Sequence, residues 1–205
     1  MEWYEEEVSA IEQRLQKWPP PPAGPVAFYG SSSMRMWDSL EADFKDVGAL
    51  NLAFGGSTME ACAFFFERLV VPCHPRSIVC YAGDNDLGDG KMPEDVLASF
   101  RKLLSKVDAH FPAIPFTILA IKPSPARLHL TERIIATNEA FSREILGRPN
   151  GCFIDIYPAM LGVDGQPDED LFQEDGLHVS PKGYLIWKKL LNNRSSDIFR
   201  GVLRA

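Results

Sequence analysis

Apolar residues along this chain fall into two alternating rhythms. Short continuous runs recur at residues 25–29, 47–54, 77–82, 116–121 and 152–156. Each is short enough for a strand and unbroken enough to be buried on both faces. Between the runs the apolar positions step by three and four. Met59, Cys62, Phe66, Leu69 and Val70 define one helix face, Val96, Phe100, Leu103, Leu104 and Val107 a second, and Ile134, Asn138, Phe141 and Ile145 a third. Tyr4, Val8, Ile11, Leu15 and Trp18 predict an amphipathic helix over residues 1–18, which Pro19 to Pro22 end. The final helix has a clear start: Ser180 can cap it, Pro181 suits its first position, and Tyr184, Trp187 and Leu191 follow at core spacing. Strands alternating with helices predict an α/β domain with a five-stranded parallel sheet covered on both faces. The expected organisation is one domain over 1–205, with the helix at 1–18, a proline-rich connector at 19–24 and the main body at 25–193.

Composition narrows the class of partner. With 205 residues, 45% of them hydrophobic, the chain can bury one substantial core. A formal net charge of −7 without a Lys/Arg cluster argues against nucleic acid or an anionic membrane surface, leaving a small-molecule or acyl substrate. The N-terminus, Met1 to Glu7, is acidic where a secretory signal is basic, and no apolar stretch approaches membrane-spanning length, so a cytoplasmic location is expected. Cys62, Cys73, Cys80 and Cys152 lack CxxC spacing and read as reduced, mostly buried thiols, with neither a disulfide nor a metal role.

Chemistry concentrates at the ends of the predicted strands. Gly30-Ser31-Ser32-Ser33 follows the first run, and Asp175-Gly176-Leu177-His178 precedes the last helix. A serine hydroxyl needs a base to take its proton as it attacks, and His178 is the one histidine with a carboxylate spaced to hold its ring. Acyl transfer also needs donors aimed at a developing oxyanion. Asn51 to Gly56, ending in two glycines, and Gly83-Asp84-Asn85-Asp86 offer a close backbone N–H and an uncharged side-chain amide after the second and third strands. Taken alone, each fragment also fits ordinary solvated loop chemistry.

Taken in order, Gly-x-Ser, Asn-x-x-x-Gly-Gly, Gly-x-Asn-Asp and Asp-x-x-His closely resemble the blocks of the SGNH hydrolase superfamily, the GDSL-like esterases and lipases, over residues 25–193. The resemblance implies a flavodoxin-like three-layer α/β/α sandwich with no metal or organic cofactor. It implies Ser32 as nucleophile, His178 as base and Asp175 orienting it. The backbone N–H groups of Ser32 and Gly56 and the Asn85 side chain would form the oxyanion hole. The first block departs from Gly-Asp-Ser-Leu: Ser31 takes the aspartate position, and Ser33 stands where an aliphatic residue is common, which leaves Ser33 as the alternative nucleophile. The Gly-Ser-Ser-Ser-x-Arg form, with Arg35 and Trp37 following, resembles a subgroup of these hydrolases, and Ser31 is expected to cap a helix beginning near Arg35.

The expected function is therefore a serine esterase that forms an acyl-enzyme on a small ester. A lipid, a thioester and an acetylated sugar all stay open as its substrate, as does a homo-oligomeric state. The competing reading is a non-catalytic binding or scaffolding domain, suggested by the altered first block and by an N-terminal helix whose apolar face could serve another subunit. Met34, Met36 and Trp37 are expected in the core in preference to a pocket wall, Phe66 in the core with Phe64 or Phe65 facing a neighbouring element, and Arg127 as an exposed charge in preference to an anion contact. Leu171 and Phe172 fit either a site lining or a lid.

Overall fold

In a computed structural model, residues 1–17 and 24–199 are described. Trp18 and the connector prolines 19–22 lie outside the described residues. Five strands, β1 (Val26–Gly30), β2 (Ala49–Asn51), β3 (Ser77–Tyr81), β4 (Phe116–Leu119) and β5 (Gly151–Ile154), form one sheet in the order β2-β1-β3-β4-β5, every pair parallel. Because side chains alternate along a strand, β1 sends Ala27 and Tyr29 into one core and Val26 and Phe28 into the other. Helices α1 (Glu5–Gln16), α4 (Met59–Leu69), α6 (Pro93–His110) and α7 (Thr131–Leu146) supply the first core. The short α2 (Ser32–Arg35) and α3 (Leu40–Asp43), with α8 (Pro181–Asn193) and α9 (Ser195–Ile198), supply the second; α5 (Asp84–Gly88) follows β3. The result is a three-layer α/β/α sandwich of flavodoxin-like type.

The strand order places the chemistry. The chain steps from β1 outward to β2 and then crosses back past β1 to β3, and in such sheets the crevice beyond the strand carboxyl ends at that reversal receives ligands. The segments after β1, β2 and β3 carry Ser32, Gly56 and Asn85.

Two predicted elements differ in extent. The run at 47–54 yields only Ala49–Asn51 as strand: Val47 closes a 3₁₀ turn, Gly48 turns the chain at φ +59°, and the Asn51 carboxamide accepts the Ala53 N–H at 3.1 Å. Leu52 and Phe54 nevertheless donate their N–H groups to Phe28 and Gly30, so the edge continues irregularly along β1. The helix after β1 begins at Ser32, not near Arg35, with Ser31 in the capping position but making no side-chain capping bond. Ser180 does cap α8, accepting the Gly183 N–H at 3.3 Å.

The N-terminal helix packs on its own domain. Val8 is fully buried, and the Tyr4 ring meets Phe54 and Phe65 edge-on at 5.4 and 6.1 Å. Arg68 on α4 bridges Glu5 and Glu12. Burying one such apolar side chain stabilises by roughly 1.5–3 kcal/mol, whereas half-exposed ion pairs contribute about 0–1 kcal/mol each. The apolar contacts therefore hold α1 in place. This removes one motive for reading the chain as a scaffold, because the helix's apolar face is already covered. Phe65 and Phe66 are both buried and Phe64 is 54% exposed, while Met34, Trp37, Leu171 and Phe172 all belong to the core. All four cysteines are buried free thiols, and no helix is long and apolar enough to cross a membrane among the described residues.

Candidate active site

β1 ends at Gly30, whose φ of +137° and close approach to β3 admit no other residue: a Cβ here would overlap the Tyr81 carbonyl oxygen. The chain then turns sharply into α2, setting Ser32 at the first helical position. Ser33, one residue on, is 2% exposed, and its carbonyl accepts the Tyr184 hydroxyl at 2.8 Å. Tyr184 also stacks on Trp37 with centroids 5.0 Å apart, so α8 and α2 are clamped together. That clamp fixes the spacing between Ser32 and the turn that precedes α8.

In that turn the Asp175 carboxylate accepts the N–H groups of Leu177 and His178 on Oδ1, both at 2.9 Å, and meets His178 Nδ1 with Oδ2 at 2.5 Å. Burial opposes its ionisation, but the His178 ring and the two backbone donors win and hold the carboxyl at about 2. The opposite ring nitrogen, Nε2, lies 3.2 Å from Ser32 Oγ. A hydroxyl, an imidazole and a carboxylate thus form one chain of contacts, in which the imidazole can accept a proton from the hydroxyl while the carboxylate steadies its far side.

The segments after β1, β2 and β3 carry three further N–H donors. Among the described residues neither the Ser32 nor the Gly56 N–H has a protein acceptor. Asn85 is half-buried, and its Nδ2 donates one hydrogen bond to the Ser57 carbonyl at 3.1 Å, leaving its second N–H uncommitted. Two contacts from the N-terminal segment hold the glycine loop. Glu7 accepts the Gly55 N–H at 2.5 Å, and the Tyr4 hydroxyl donates to the Gly56 carbonyl at 3.3 Å. With those groups held, the Gly56 N–H faces no acceptor among the described residues. Sequence spacing carries no signal of this, since Tyr4 and Glu7 reach across some fifty residues of chain.

Residues 20–186 match the family model of GDSL-like lipases and acylhydrolases. The chain belongs to that family. As a GDSL-like lipase/acylhydrolase it is a hydrolase acting on ester bonds, and its fold is shared with solved structures of low identity. A Bacteroides fragilis protein assigned as an acylhydrolase superposes with a TM-score of 0.78 at 19% identity, over 89% of this chain and 92% of that one. A GDSL-like lipase from Bacteroides thetaiotaomicron gives 0.74 at 18% identity over 91% and 95%. A family 3 carbohydrate esterase from Talaromyces cellulolyticus gives 0.66 at 15% over 83% and 95%. No curated protein matches the chain.

One residue of this GDSL-like hydrolase sits differently from its expectation. Arg127 is not an exposed charge: its side chain is 15% exposed and ion-pairs with Asp84, whose other oxygen takes the fully buried Lys122 ammonium at 2.5 Å. Burial opposes ionisation of Asp84, but the two cations hold its carboxyl below the ordinary range. Lys122, likewise opposed by burial, is kept charged by Asp84, and Tyr81 lies beside them with its hydroxyl 3.2 Å from the ammonium.

Proposed function

We propose that the protein is a serine esterase working through an acyl-enzyme, with Ser32 as nucleophile, His178 as base and Asp175 orienting the imidazole. The observation that carries this reading is the 3.2 Å contact between His178 Nε2 and Ser32 Oγ, backed by Asp175 on the opposite ring nitrogen. The buried Ser33 is less suited, its backbone being tied to Tyr184. As Ser32 Oγ attacks the ester carbonyl carbon, Nε2 takes its proton, and negative charge gathers on the carbonyl oxygen. The Ser32 N–H, the Gly56 N–H and the free Asn85 N–H receive that charge. Collapse of the tetrahedral intermediate expels the alcohol, which leaves with the proton from His178. Water then attacks the acyl carbon, giving its proton to His178, and the acid departs as Ser32 regains its hydrogen. The acidic chain and the family's chemistry favour a small ester: a lipid, a thioester or an acetylated sugar.

Hydrolysis of short nitrophenyl esters by wild type, Ser32→Ala, Ser33→Ala and His178→Ala tests the assignment. Ser32→Ala and His178→Ala should each lose at least about 10³-fold in kcat, and fluorophosphonate labelling should vanish in both. Retention of full activity by both variants rejects the mechanism, and selective loss in Ser33→Ala moves the nucleophile by one residue.

A further inference from the structure

A carboxamide is nearly symmetric in shape, so the cavity around Asn85 cannot by outline alone decide whether its oxygen or its NH₂ faces a developing oxyanion. Only the NH₂ end is useful there. Two partners make the choice: the Ser57 carbonyl accepts from Nδ2 at 3.1 Å, and a guanidinium stands at the oxygen end. Arg127 Nη2 donates to Asn85 Oδ1 at 3.2 Å, and reversing the amide would set its NH₂ against a guanidinium that has no acceptor to offer. Arg127 is itself held. Its Nη1 donates to both the carbonyl and the carboxylate of Asp84, and Gly88 makes room for it, since a Cβ at that position would sit 2.8 Å from Nη2. Lys122 and Arg127 share the Asp84 carboxylate, and Arg127 is the cation that reaches the amide oxygen.

The same loop reaches the other half of the site. The Ala126 N–H donates to the Gly176 carbonyl at 3.0 Å, inside the turn that presents Asp175 and His178. Residues 125–127 therefore span from the asparagine donor to the Asp–His turn. We propose that Arg127 is a positioning residue of the oxyanion site: it locks the Asn85 carboxamide with its N–H groups toward the reacting carbonyl and polarises them as donors. This rests on the serine esterase reading above. A guanidinium bound to the amide oxygen pulls electron density from the nitrogen, which strengthens the N–H groups as donors. Its own charge is kept in place by the buried Asp84–Lys122 pair.

The experiment is a double-mutant cycle on hydrolysis of a short nitrophenyl ester. Loss of one oxyanion donor costs about 10²–10³ in kcat, so Arg127→Met, which loosens that donor without deleting it, should lower kcat about 10- to 100-fold while KM changes less than about threefold. Arg127→Lys should recover at least about fivefold of that loss, because an ammonium keeps the charge but not the fork. In an Asn85→Ala background, Arg127→Met should cost less than about threefold further, since there is no amide left to orient. Equal losses in the two backgrounds overturn the proposal, as does a wild-type kcat in Arg127→Met. Should Arg127→Met not fold, Arg127→Lys carries the same cycle, with a smaller kcat loss that disappears in Asn85→Ala. Ser32→Ala run alongside separates the failures. If it stays active, the serine mechanism itself fails and this proposal with it; if it is dead while Arg127→Met matches wild type, only the role of Arg127 is lost.

Discussion

Replacing Asp175 by Asn tests how the His178 ring is held, because the geometry dictates which way the new amide must face. Oδ1 of Asp175 accepts two backbone N–H groups at 2.9 Å each. An amide oxygen can keep both bonds; an NH₂ group can keep neither. Turning the amide the other way would give up two hydrogen bonds worth about 1 kcal/mol each, so no more than about 3% of molecules should adopt it. In the favoured orientation the NH₂ faces His178 Nδ1 across what is a 2.5 Å contact in the native site. Nδ1 must then become an acceptor, which moves the ring proton to Nε2 and points an N–H at Ser32 Oγ. A base in that tautomer cannot take the serine proton. The expected loss in kcat lies between about 30-fold, from the flipped minority, and about 10⁴-fold, the size known for a wrong-tautomer triad and equal to about 5.5 kcal/mol. Steady-state hydrolysis of nitrophenyl acetate measures the loss, and ¹⁵N spectra of the imidazole report which nitrogen carries the proton. A folded variant that keeps more than about a tenth of wild-type kcat, or that loses activity while the proton stays on Nδ1, would refute the reasoning.

Two further outcomes follow from burial and charge. The Asp175 carboxyl titrates at about 2 when folded, below its ordinary 3.8, so its contribution to stability is fully present above about pH 4 and is lost as pH falls toward 2. Melting curves from pH 4 to 2 should therefore fall less steeply in Asp175→Asn, by a fraction of the roughly 1.4 kcal/mol per pH unit that one proton can contribute, since this half-exposed group is screened by water. An unchanged slope would show that its partners in solution hold it no more tightly than the unfolded chain does. Phe66→Ala should cost about 3–5 kcal/mol and Phe64→Ala less than about 0.5 kcal/mol, read from denaturant midpoints; similar shifts would contradict the burial of one and the exposure of the other.

How far the sequence reveals this arrangement depends on the range of the interactions. The central strands β1, β3 and β4 are legible because each is buried on both faces, whereas the edge strands β2 and β5 keep half-exposed positions but are still short apolar runs. At residues 47–54 the same signal misleads, because Leu52 and Phe54 stay in the core after the chain has left regular strand geometry. Sequence leaves open whether Phe64 or Phe65 faces a neighbouring element; it is Phe65, because α4 is covered by α1 as well as by the sheet and α6 and its buried surface is wider than one helical stripe. Within the site, the serine, glycine, asparagine and Asp–His blocks are readable as local residue types suited to turns and helix starts. The surroundings are not. Arg127 meets Asp84 and Asn85 across some forty residues, and Glu7 meets Gly55 across 48, separations at which no local pattern constrains the partners.

The contact between Ser32 and His178 joins residues 146 apart. Closing a loop of that length costs about 4–5 kcal/mol of chain entropy. The burial of Trp187, Leu191 and most of Tyr184 as α8 docks can offset this. During synthesis the hydroxyl and all three donors emerge first, and the imidazole comes in the final stretch before α8. A chain lacking that stretch would carry Ser32, Gly56 and Asn85 without the imidazole that the proposed mechanism requires, and on that mechanism it would not turn over an ester. Ester turnover during refolding would therefore be a clock for one late event, the arrival of α8 on the sheet.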